Sequence, residues 1–491
     1  MKRKMNRREF IKSAASGAAA GTAAMFLSGC TNRGKKAALG VGHRNIGGLV
    51  RGRVVSGGKP LGAVRCSDGR QVVLTDREGR FAIDSAGGSG PFVFVVTPGG
   101  YWTDRFYVPM AKALKHEVLF ELEATGPADK YSTAYVADIH LGDGNKPVSY
   151  ECFAATVDEL NTLPNRPAFL IAGGDISLQL HQGDRYVEMM SRLKMPVRNG
   201  FGNHEMMTDQ PKPKQRFTEL FGPTYHSFDY GSVHYVVMDG CLFAPQNEGY
   251  KNVVGHVGPT EMAWLENDLK LVPKDMPTVA AIHIPLVSTY PERRSAKAED
   301  VPWWITNNAE DVIKVLDKFN VPLVLQGHMH ENERIFRGST EFVESVSVSG
   351  SWWRTKPGRE LAVSGEPRGY RIIDVDGTKI SHRYMSSAEL HVDEPGEFIN
   401  VENDRVAAGG ELVVNFFDAS NEAKVFGRTD DGPWTPWSPA KAIGPFVKDL
   451  IAAHHWKCPE HLLRSGRHRI EVRCEDRDRA DTMLARLLMI G

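Results

Sequence analysis

The sequence predicts an α/β protein in which a central α/β domain lies between two small all-β domains. Apolar runs of strand length alternate with helical periods between about residues 131 and 390, a pattern typical of α/β domains. Short alternating runs separated by turn residues precede and follow this region, which indicates small antiparallel sheets. The chain has 491 residues, more than one typical core requires, so two or three domains are expected.

The composition is that of an ordinary globular protein, with 41% hydrophobic and 24% charged residues. The formal net charge is zero, but six basic residues and one acidic residue lie in residues 1–29. Because the whole chain holds 60 basic and 60 acidic residues, 54 basic and 59 acidic residues remain beyond that segment. A mildly acidic body gives no electrostatic reason to expect a nucleic-acid partner.

Residues 1–30 have the character of an export signal. The segment NRREFIK resembles a twin-arginine signal, and LSGC resembles a bacterial lipobox in which Cys30 is lipidated. The apolar stretch between them is too short and too mild for a spanning helix. We therefore expect an exported, periplasmic or cell-surface protein with a lipid anchor to a membrane, and residues 31–45 as a linker. The alternative is a disordered basic tail ahead of a short core helix.

The cysteines indicate no metal framework, because the five beyond Cys30 lack the spacing of a zinc site. Cys458 and Cys474 are a weak candidate for a disulfide. Buried free thiols are the favoured state for all five.

Residues 46–125 are expected to form a small β-sandwich. Runs such as LVRGRVV, RQVVLT and FVFVVT are separated by turn signals such as SGGKP and DREG. The stretch from GRVV to RFAI resembles the carboxypeptidase-regulatory-like (transthyretin-like) module. It holds no cluster of His, Asp or Glu, so we expect a structural or spacer module.

Residues 126–395 are the expected central domain, and residues 396–491 the second all-β domain. STAYVAD and PAFLIAGGD predict buried strands, while YECFAATVDELNTL and AEDVIKVLDKF place apolar residues at helical spacing. HSFDYGSVHYVVMDG predicts a hairpin that turns near Gly231. Beyond residue 400, ELVVNFF, EAKVFGRT and HRIEVRCED are again short strand-like runs.

Five polar clusters in the central domain each follow a strand-like apolar run. They are Asp138-Ile139-His140, Gly173-Gly174-Asp175, Gly202-Asn203-His204-Glu205, His283, and Gly327-His328-Met329-His330. Ligand sites of open α/β sheets lie outside the carboxyl ends of the strands, so these clusters are expected to converge on one edge. Any one of the histidines alone is better explained as a core or turn residue, but the ordered series is not.

The donor set suits two divalent ions. Without His204 it comprises four His, two Asp and one Asn, which exceeds the four ligands of one zinc ion. Mixed nitrogen and oxygen ligands without Cys favour Mn, Fe or Zn over Ca. Two such ions sharing a carboxylate form the arrangement that serves phosphoryl transfer.

The series DIH, GGD, GNHE, H and GHMH resembles the calcineurin-like metallophosphoesterase superfamily over roughly residues 131–385. The flanking β-domains resemble those of a bacterial branch of that superfamily. The resemblance implies a four-layer α/β/β/α sandwich as the central domain. It assigns the first metal to Asp138, His140 and His330. It assigns the second metal to Asn203, His283 and His328, with Asp175 bridging the two.

The same resemblance implies catalytic roles. His204 would donate a proton to the leaving oxygen or stabilise the transition state, and Glu205 would orient His204. A metal-bridging hydroxide would attack phosphorus, since the cations lower its pKa. The implied enzyme is a metal-dependent phosphohydrolase, either a phosphatase or a phosphodiesterase, acting on phosphate mono- or diesters.

Candidate substrate residues lie in loops that follow the motifs. Arg293 could meet phosphate charge and Trp303 could stack on a ring, while Arg185 and Trp352 follow other motifs. A packed loop with solvated charges explains any one of them at least as well. The expected substrate is a phosphorylated small molecule or, given the membrane anchor, a lipid headgroup.

Other functions remain open. The acidic body disfavours a nuclease, and export disfavours a protein phosphatase. The alternative class is a non-catalytic, metal-containing binding protein of the cell surface. The complete motif series, including His204, argues against that class. The sequence does not predict the oligomeric state.

Overall fold

The computed structural model describes residues 48–143, 148–247, 249–349, 361–362, 364–387, 395–399, 401–440, 451–477 and 479–491. Cys30, residues 31–45 and Trp352 lie outside these ranges, so the predictions made for them stay predictions. No helix within the described ranges is both long enough and apolar enough to cross a membrane.

Residues 49–124 form two small sheets, a strand pair and the short helix α1 (Met110–Ala113). The strands are β1 (Leu49–Ser56), β2 (Lys59–Pro60), β3 (Arg65–Ser67), β4 (Val72–Leu74), β5 (Arg80–Asp84), β6 (Phe92–Val95), β7 (Tyr101–Trp102), β8 (Tyr107–Pro109), β9 (Val118–Glu121) and β10 (Glu123–Ala124). One sheet has the order β2-β1-β5, with β9 also pairing with β1, and the other has the order β4-β3-β6-β8. β5 alternates exposed and buried residues, as expected of a strand with one face in the core.

Within its described residues the central region contains thirteen strands, of which five and six form two large sheets and two pair separately. The strands are β11 (Lys130–Val136), β12 (Leu170–Ala172), β13 (Val197–Asn199), β14 (His226–Tyr230), β15 (Val233–Val237), β16 (Cys241–Phe243), β17 (Val253–Gly255), β18 (Thr278–Ala281), β19 (Leu323–Gln326), β20 (Glu333–Arg337), β21 (Thr340–Glu344), β22 (Gly369–Asp376) and β23 (Lys379–Ser386). One sheet has the order β13-β12-β11-β22-β23 and the other β14-β15-β18-β19-β21-β20. β11, β12 and β13 are parallel to one another, as are β15, β18 and β19. β14 and β15 form the hairpin expected around Gly231.

Helices cover the outer faces of both large sheets. They are α2 (Val148–Thr162), α3 (Gly183–Met190), α4 (Gln215–Phe221), α5 (Pro259–Leu269), α6 (Tyr290–Arg293), α7 (Val301–Trp304) and α8 (Ala309–Leu316). Alternate residues of β11 face opposite sides: Val136 packs with Phe153 of α2, whereas Tyr135 packs with residues of the other sheet. In that second sheet Ala280 packs with Val312 of α8. The order of layers is therefore helix, sheet, sheet, helix, which confirms the four-layer sandwich.

The described residues of the C-terminal region form two further sheets. Its strands are β24 (Gly396–Ile399), β25 (Arg405–Val406), β26 (Val413–Phe416), β27 (Lys424–Thr429), β28 (Thr435–Pro436), β29 (Ser438–Pro439), β30 (His455–Lys457), β31 (Gly466–Glu475) and β32 (Thr482–Ile490). The sheets have the orders β24-β26-β30-β29 and β25-β32-β31-β27-β28 and enclose one apolar core. Cys458 and Cys474 both lie in that core as free thiols.

The N-terminal sheets are docked on the central domain, so they do not act as a spacer. Phe94 of β6 lies in one continuous core with Trp264 of α5 and Val324 of β19. Arg65 donates to Asp229 at 2.6 Å, and both are largely buried. A module that only separates two domains would not share an apolar core with one of them. The structure therefore supports a structural role for this module.

Candidate metal centre

The five polar clusters meet at one edge of the central domain, but they come from two facing sheets. Asp138, Asp175 and Asn203 follow β11, β12 and β13 of the first sheet. His283 and His328 follow β18 and β19 of the second. These strands run parallel within each sheet, so their carboxyl ends meet at one edge. Ligand sites of α/β sheets lie at such carboxyl ends.

The backbone is strained at most of the expected ligands. Asp138, His140, Asp175, His328 and His330 all have positive φ angles, between 49° and 79°. Such left-handed conformations are costly for residues with a Cβ and persist where the surrounding structure enforces them. Their concentration at one edge is independent evidence that this edge is a functional site.

Asp138, His140 and His330 form the first group of possible ligands. One donor atom from each lies within 4.8 Å of the others, and all three residues are buried. Nε2 of His330 lies 3.2 Å from Oδ1 of Asp138 and 2.9 Å from Nε2 of His140. The three donors thus converge on one point, as the first metal site would require.

Asp175, His283 and His328 form the second group, again with donor atoms within 4.8 Å of one another. Nδ1 of His283 donates to the carbonyl oxygen of Gly173 at 2.9 Å, which leaves Nε2 facing Oδ2 of Asp175 at 3.1 Å. Nε2 of His328 bonds the carbonyl oxygen of Trp303 at 2.9 Å, which fixes Nδ1 as the nitrogen with a free lone pair. Oδ2 of Asp175 also approaches Nε2 of His140 to 3.6 Å, so this carboxylate lies between the two groups.

One buried atom tests whether this donor set fits a metal. Oδ1 of Asn203 has no hydrogen-bond partner among the described residues. Buried polar atoms are normally paired, so an unpaired amide oxygen beside two convergent donor groups indicates a cation as its partner. Nitrogen and oxygen donors of this kind fit two divalent ions such as Mn, Fe or Zn.

Glycines keep the space around the carboxylates open. A Cβ on Gly202 would lie 2.3 Å from Oδ1 of Asp175. Gly174 has a φ of +102°, and a Cβ there would lie 2.8 Å from Nδ1 of His283. Both positions therefore require glycine if the loops are to approach one another this closely.

His204 lies beside the two groups, and Asp143 holds it there. Oδ2 of Asp143 accepts hydrogen bonds from Nδ1 of His204 at 2.9 Å and from Nδ1 of His140 at 3.0 Å. Nε2 of His204 is 3.9 Å from Oδ2 of Asp175, and the side chain is 22% exposed. His204 can therefore meet a substrate with Nε2 while a carboxylate fixes its other nitrogen.

The expectation that Glu205 orients His204 is wrong. The Glu205 carboxylate instead accepts hydrogen bonds from the backbone N–H groups of Gly202, Asp175 and Ile176, at 2.7, 2.8 and 2.7 Å. Glu205 thus ties the GNHE turn to the loop that carries Asp175. Asp143 is the partner that sequence analysis missed, and its signal was the second Asp of DIHLGD, three residues after His140.

The charges of the site are set by these short contacts. Burial disfavours an ionised Asp175, but His283 and His204 outweigh it and hold the pKa of Asp175 well below its usual range. Burial likewise disfavours charged His283, yet the carboxylates of Asp175 and Asp138 raise its pKa to about 10. For His328 burial prevails and lowers the pKa to about 3. Binding of a cation would therefore release a proton from His283.

Arg293 is not available to a substrate, which corrects its assignment. Its side chain is 10% exposed and is paired with Glu331 and, at 3.5 Å, with Glu333. It also donates to the carbonyl oxygen of Ile451 at 2.6 Å. The sequence identified Arg293 as a positively charged residue of this loop, but the carboxylates that pair with it come from later in the chain.

Trp303 and Arg185 have different positions. The Trp303 ring lies 5.1 Å from the His328 ring, so this residue does border the second ligand group. Arg185 is exposed on α3, pairs with Glu188 at 2.9 Å and has its guanidinium 6.0 Å from the Tyr150 ring. Trp352 lies outside the described residues.

Three family models match the chain. They are the N-terminal region of calcineurin-like phosphoesterases over residues 48–125, the calcineurin-like phosphoesterase domain over residues 131–332, and the C-terminal region over residues 343–479. Together with the fold and the donor set, these matches define a metal-dependent phosphohydrolase. Within that class, the chain belongs to the calcineurin-like phosphoesterases, which use a dinuclear divalent metal centre.

Curated relatives are distant. The chain is similar to a 3′,5′-cyclic-nucleotide phosphodiesterase of Nostoc sp., with 29% identity over 133 residues, which is 26% of this chain and 45% of the relative. It is also similar to the serine/threonine-protein phosphatase CPPED1 of Homo sapiens, with 23% identity over 249 residues, 48% of this chain and 72% of the relative. Among solved structures it is similar to a dimetal phosphatase from Danio rerio, with 14% identity and a TM-score of 0.35, over 52% of this chain and 99% of that one. That structural likeness carries no argument about activity.

Proposed function

We propose that this protein hydrolyses phosphate mono- or diesters at a dinuclear metal centre. The observation that carries the proposal is the pair of three-residue donor groups, each within 4.8 Å, with Asp175 between them. The first ion would be held by Asp138, His140 and His330. The second would be held by Asn203, His283 and His328, with Asp175 available to both.

His204 is the proposed proton donor. Burial disfavours its charged form, but Asp175 and Asp143 raise its pKa to about 9, so Nε2 carries a proton at neutral pH. That proton can pass to the ester oxygen as the leaving group departs, while Asp143 holds Nδ1. When bound, the two cations supply a water of lowered pKa and positive charge against the phosphoryl oxygens. The Trp303 ring lies 5.1 Å from the His328 ring, which supports a proposed contact between Trp303 and the organic part of the ester.

The test compares the rates at which the full chain, supplied with Mn²⁺, hydrolyses p-nitrophenyl phosphate and bis-p-nitrophenyl phosphate. His204→Ala is expected to lower kcat by roughly 10²–10⁴ while the metal content stays at two ions. His116→Ala, an exposed histidine of the N-terminal region, is the matched control and should leave kcat unchanged.

The outcomes separate the alternatives. Preference for the diester would direct the search to cyclic or bridged phosphates, and preference for the monoester to sugar phosphates. If two metals bind but neither ester is turned over, the non-catalytic binding protein becomes the better account. Near-wild-type turnover by His204→Ala with both metals bound would remove His204 from the mechanism.

We also propose that the protein is exported and anchored to a membrane through Cys30, and that lipid headgroup phosphates are among its substrates. NRREFIK and LSGC support export and lipidation, and the headgroup proposal follows from the anchor alone. Cells fed radiolabelled palmitate should label the wild-type chain but not Cys30→Ala. Arg7→Lys with Arg8→Lys should retain the chain inside the cell. Label on Cys30→Ala would contradict lipidation at this residue.

A further inference from the structure

The last strand of the chain is apolar on both faces. β32 directs Leu484, Leu488 and Ile490 into the C-terminal core. On its other face Met483, Leu487 and Met489 are 45%, 47% and 38% exposed. A strand with one face in water normally alternates apolar and polar residues, so the fold alone does not account for this second apolar row.

Arginines border the exposed row. In the β31–β32 ladder, Arg467 is opposite Met489, Arg469 is opposite Leu487 and Arg473 is opposite Met483. Residues directly opposite one another in a ladder project from the same face of the sheet. On the other side of β32, Arg405 pairs with Met489. The apolar row therefore runs along the sheet with cationic side chains on both sides.

This surface, the outer face of β25-β32-β31-β27, carries an excess of positive charge. Its ladder positions hold six cationic residues and two carboxylates, Glu471 and Glu475. The six are Arg405, Lys424, Arg428, Arg467, Arg469 and Arg473. Any apolar partner could cover the row of Met and Leu, but the surplus charge selects an anionic one.

We propose that this outer sheet face docks on an anionic lipid bilayer. Met483, Leu487 and Met489 would enter the headgroup region. Arg428, Arg469 and Arg473 form ion pairs with Glu471 and Glu475, so Arg405 and Arg467, which border Met489, would be the first to pair with lipid phosphates. Trp434 supports this orientation, since it lies between Arg428 and Arg473, with their guanidinium groups 4.9 and 5.0 Å from its ring. An amphipathic indole at the border of an apolar patch is typical of side chains at membrane interfaces. The proposal depends neither on catalysis nor on lipidation of Cys30.

The test is co-sedimentation of the full chain with vesicles, using Cys30→Ser throughout so that no lipid is attached. Binding is expected to vesicles of phosphatidylglycerol and phosphatidylcholine, to weaken with salt, and to be much weaker with phosphatidylcholine alone. Met483→Ser with Leu487→Ser and Met489→Ser should lower the partition coefficient roughly tenfold or more, and so should Arg467→Glu with Arg469→Glu. Every variant carries the same basic N-terminus, so differences between variants report on the sheet.

Matched controls lie on the N-terminal sheets. Leu74→Ser with Leu119→Ser removes leucines that are 49% and 62% exposed, and Arg77→Glu with Lys115→Glu reverses two exposed cations. Both pairs should leave binding unchanged. Equal binding by the sheet variants and the parent would overturn the proposal. So would a dimer in light scattering that the triple serine variant converts to monomer, because the face would then belong to a second copy of the chain.

Discussion

At the scale of single residues, one carboxylate organises two histidines of the site. Oδ2 of Asp143 bonds Nδ1 of both His140 and His204, and Oδ1 accepts the backbone N–H of Leu178 at 2.6 Å. Both imidazoles therefore keep Nε2 for the site. The sequence identified both histidines, but the resemblance assigned the orientation of His204 to Glu205. The contact between Asp143 and His204 spans 61 residues, so the spacing of Asp143 from His140 was its sequence signal.

Replacement of Asp143 by alanine should lower activity about 10–100-fold, because the orientation of His204 and of the proposed metal ligand His140 is lost together. Steady-state kinetics with metal analysis would measure this, and the loss is expected mainly in kcat. Asp184→Ala is the control, since Asp184 is exposed and pairs only at the surface with Arg216 among the described contacts. If Asp143→Ala keeps full activity, the bond to His204 has no role in turnover.

At the scale of elements, the segment from α6 to α7 shows which positions a sequence pattern predicts and which it does not. The prediction that this loop lies beside the site is consistent with Trp303, whose carbonyl oxygen bonds His328. The charge of Arg293 was assigned to a substrate because its partners, Glu331 and Glu333, lie about forty residues further on. A strand-end motif can be recognised locally, whereas a buried ion pair depends on packing between distant elements.

Arg293→Ala should destabilise the protein by about 3–5 kcal/mol, because it leaves buried carboxylates without their cation. Urea unfolding would measure the loss. Arg185→Ala, which removes an exposed ion pair with Glu188, should change the free energy of unfolding by less than about 1 kcal/mol. Unchanged stability of Arg293→Ala together with a raised KM would restore the original assignment to substrate binding.

At the scale of the whole molecule, the N-terminal sheets and the central domain share a buried charge network. His234 bonds Asp229 at 2.7 Å through Nδ1 and Asp268 at 3.0 Å through Nε2, and Arg65 joins both carboxylates from β3. Sequence patterns predicted each sheet, and the strand-end clusters predicted the site. They did not predict this docking, because the apolar residues of a strand do not reveal whether the next layer belongs to the same domain.

Asp268→Asn should lower the free energy of unfolding by about 3–5 kcal/mol, because Asp229 is then left to balance the buried charges of both Arg65 and His234. Asp275→Asn, an exposed carboxylate close in sequence, should stay within about 0.5 kcal/mol of the wild type. Equal midpoints of urea unfolding for the two variants would show that the network contributes nothing to docking.

The same network predicts how stability depends on pH. Burial disfavours the charged His234 ring, but Asp268 and the hydrogen bonds to both carboxylates raise its pKa above the ordinary value. A raised pKa in the folded state contributes stability that is full below about pH 6.5 and is lost as pH rises through the folded-state pKa. As pH rises above about 6.5, the wild type should therefore lose more stability than His234→Gln. Identical pH profiles in urea unfolding would contradict this.

The apolar core shared by the N-terminal sheets and the central domain also limits the order in which parts of the chain can fold. The Phe94 ring packs edge-on against the Trp264 ring, with 6.1 Å between the ring centroids. Phe94 is synthesised well before α5, which carries Trp264. The apolar surface around Phe94 is therefore exposed in each nascent chain until the central domain has been made. A secretion route that threads unfolded chains would expose that surface a second time. A route that carries folded proteins, as NRREFIK predicts, would expose it once.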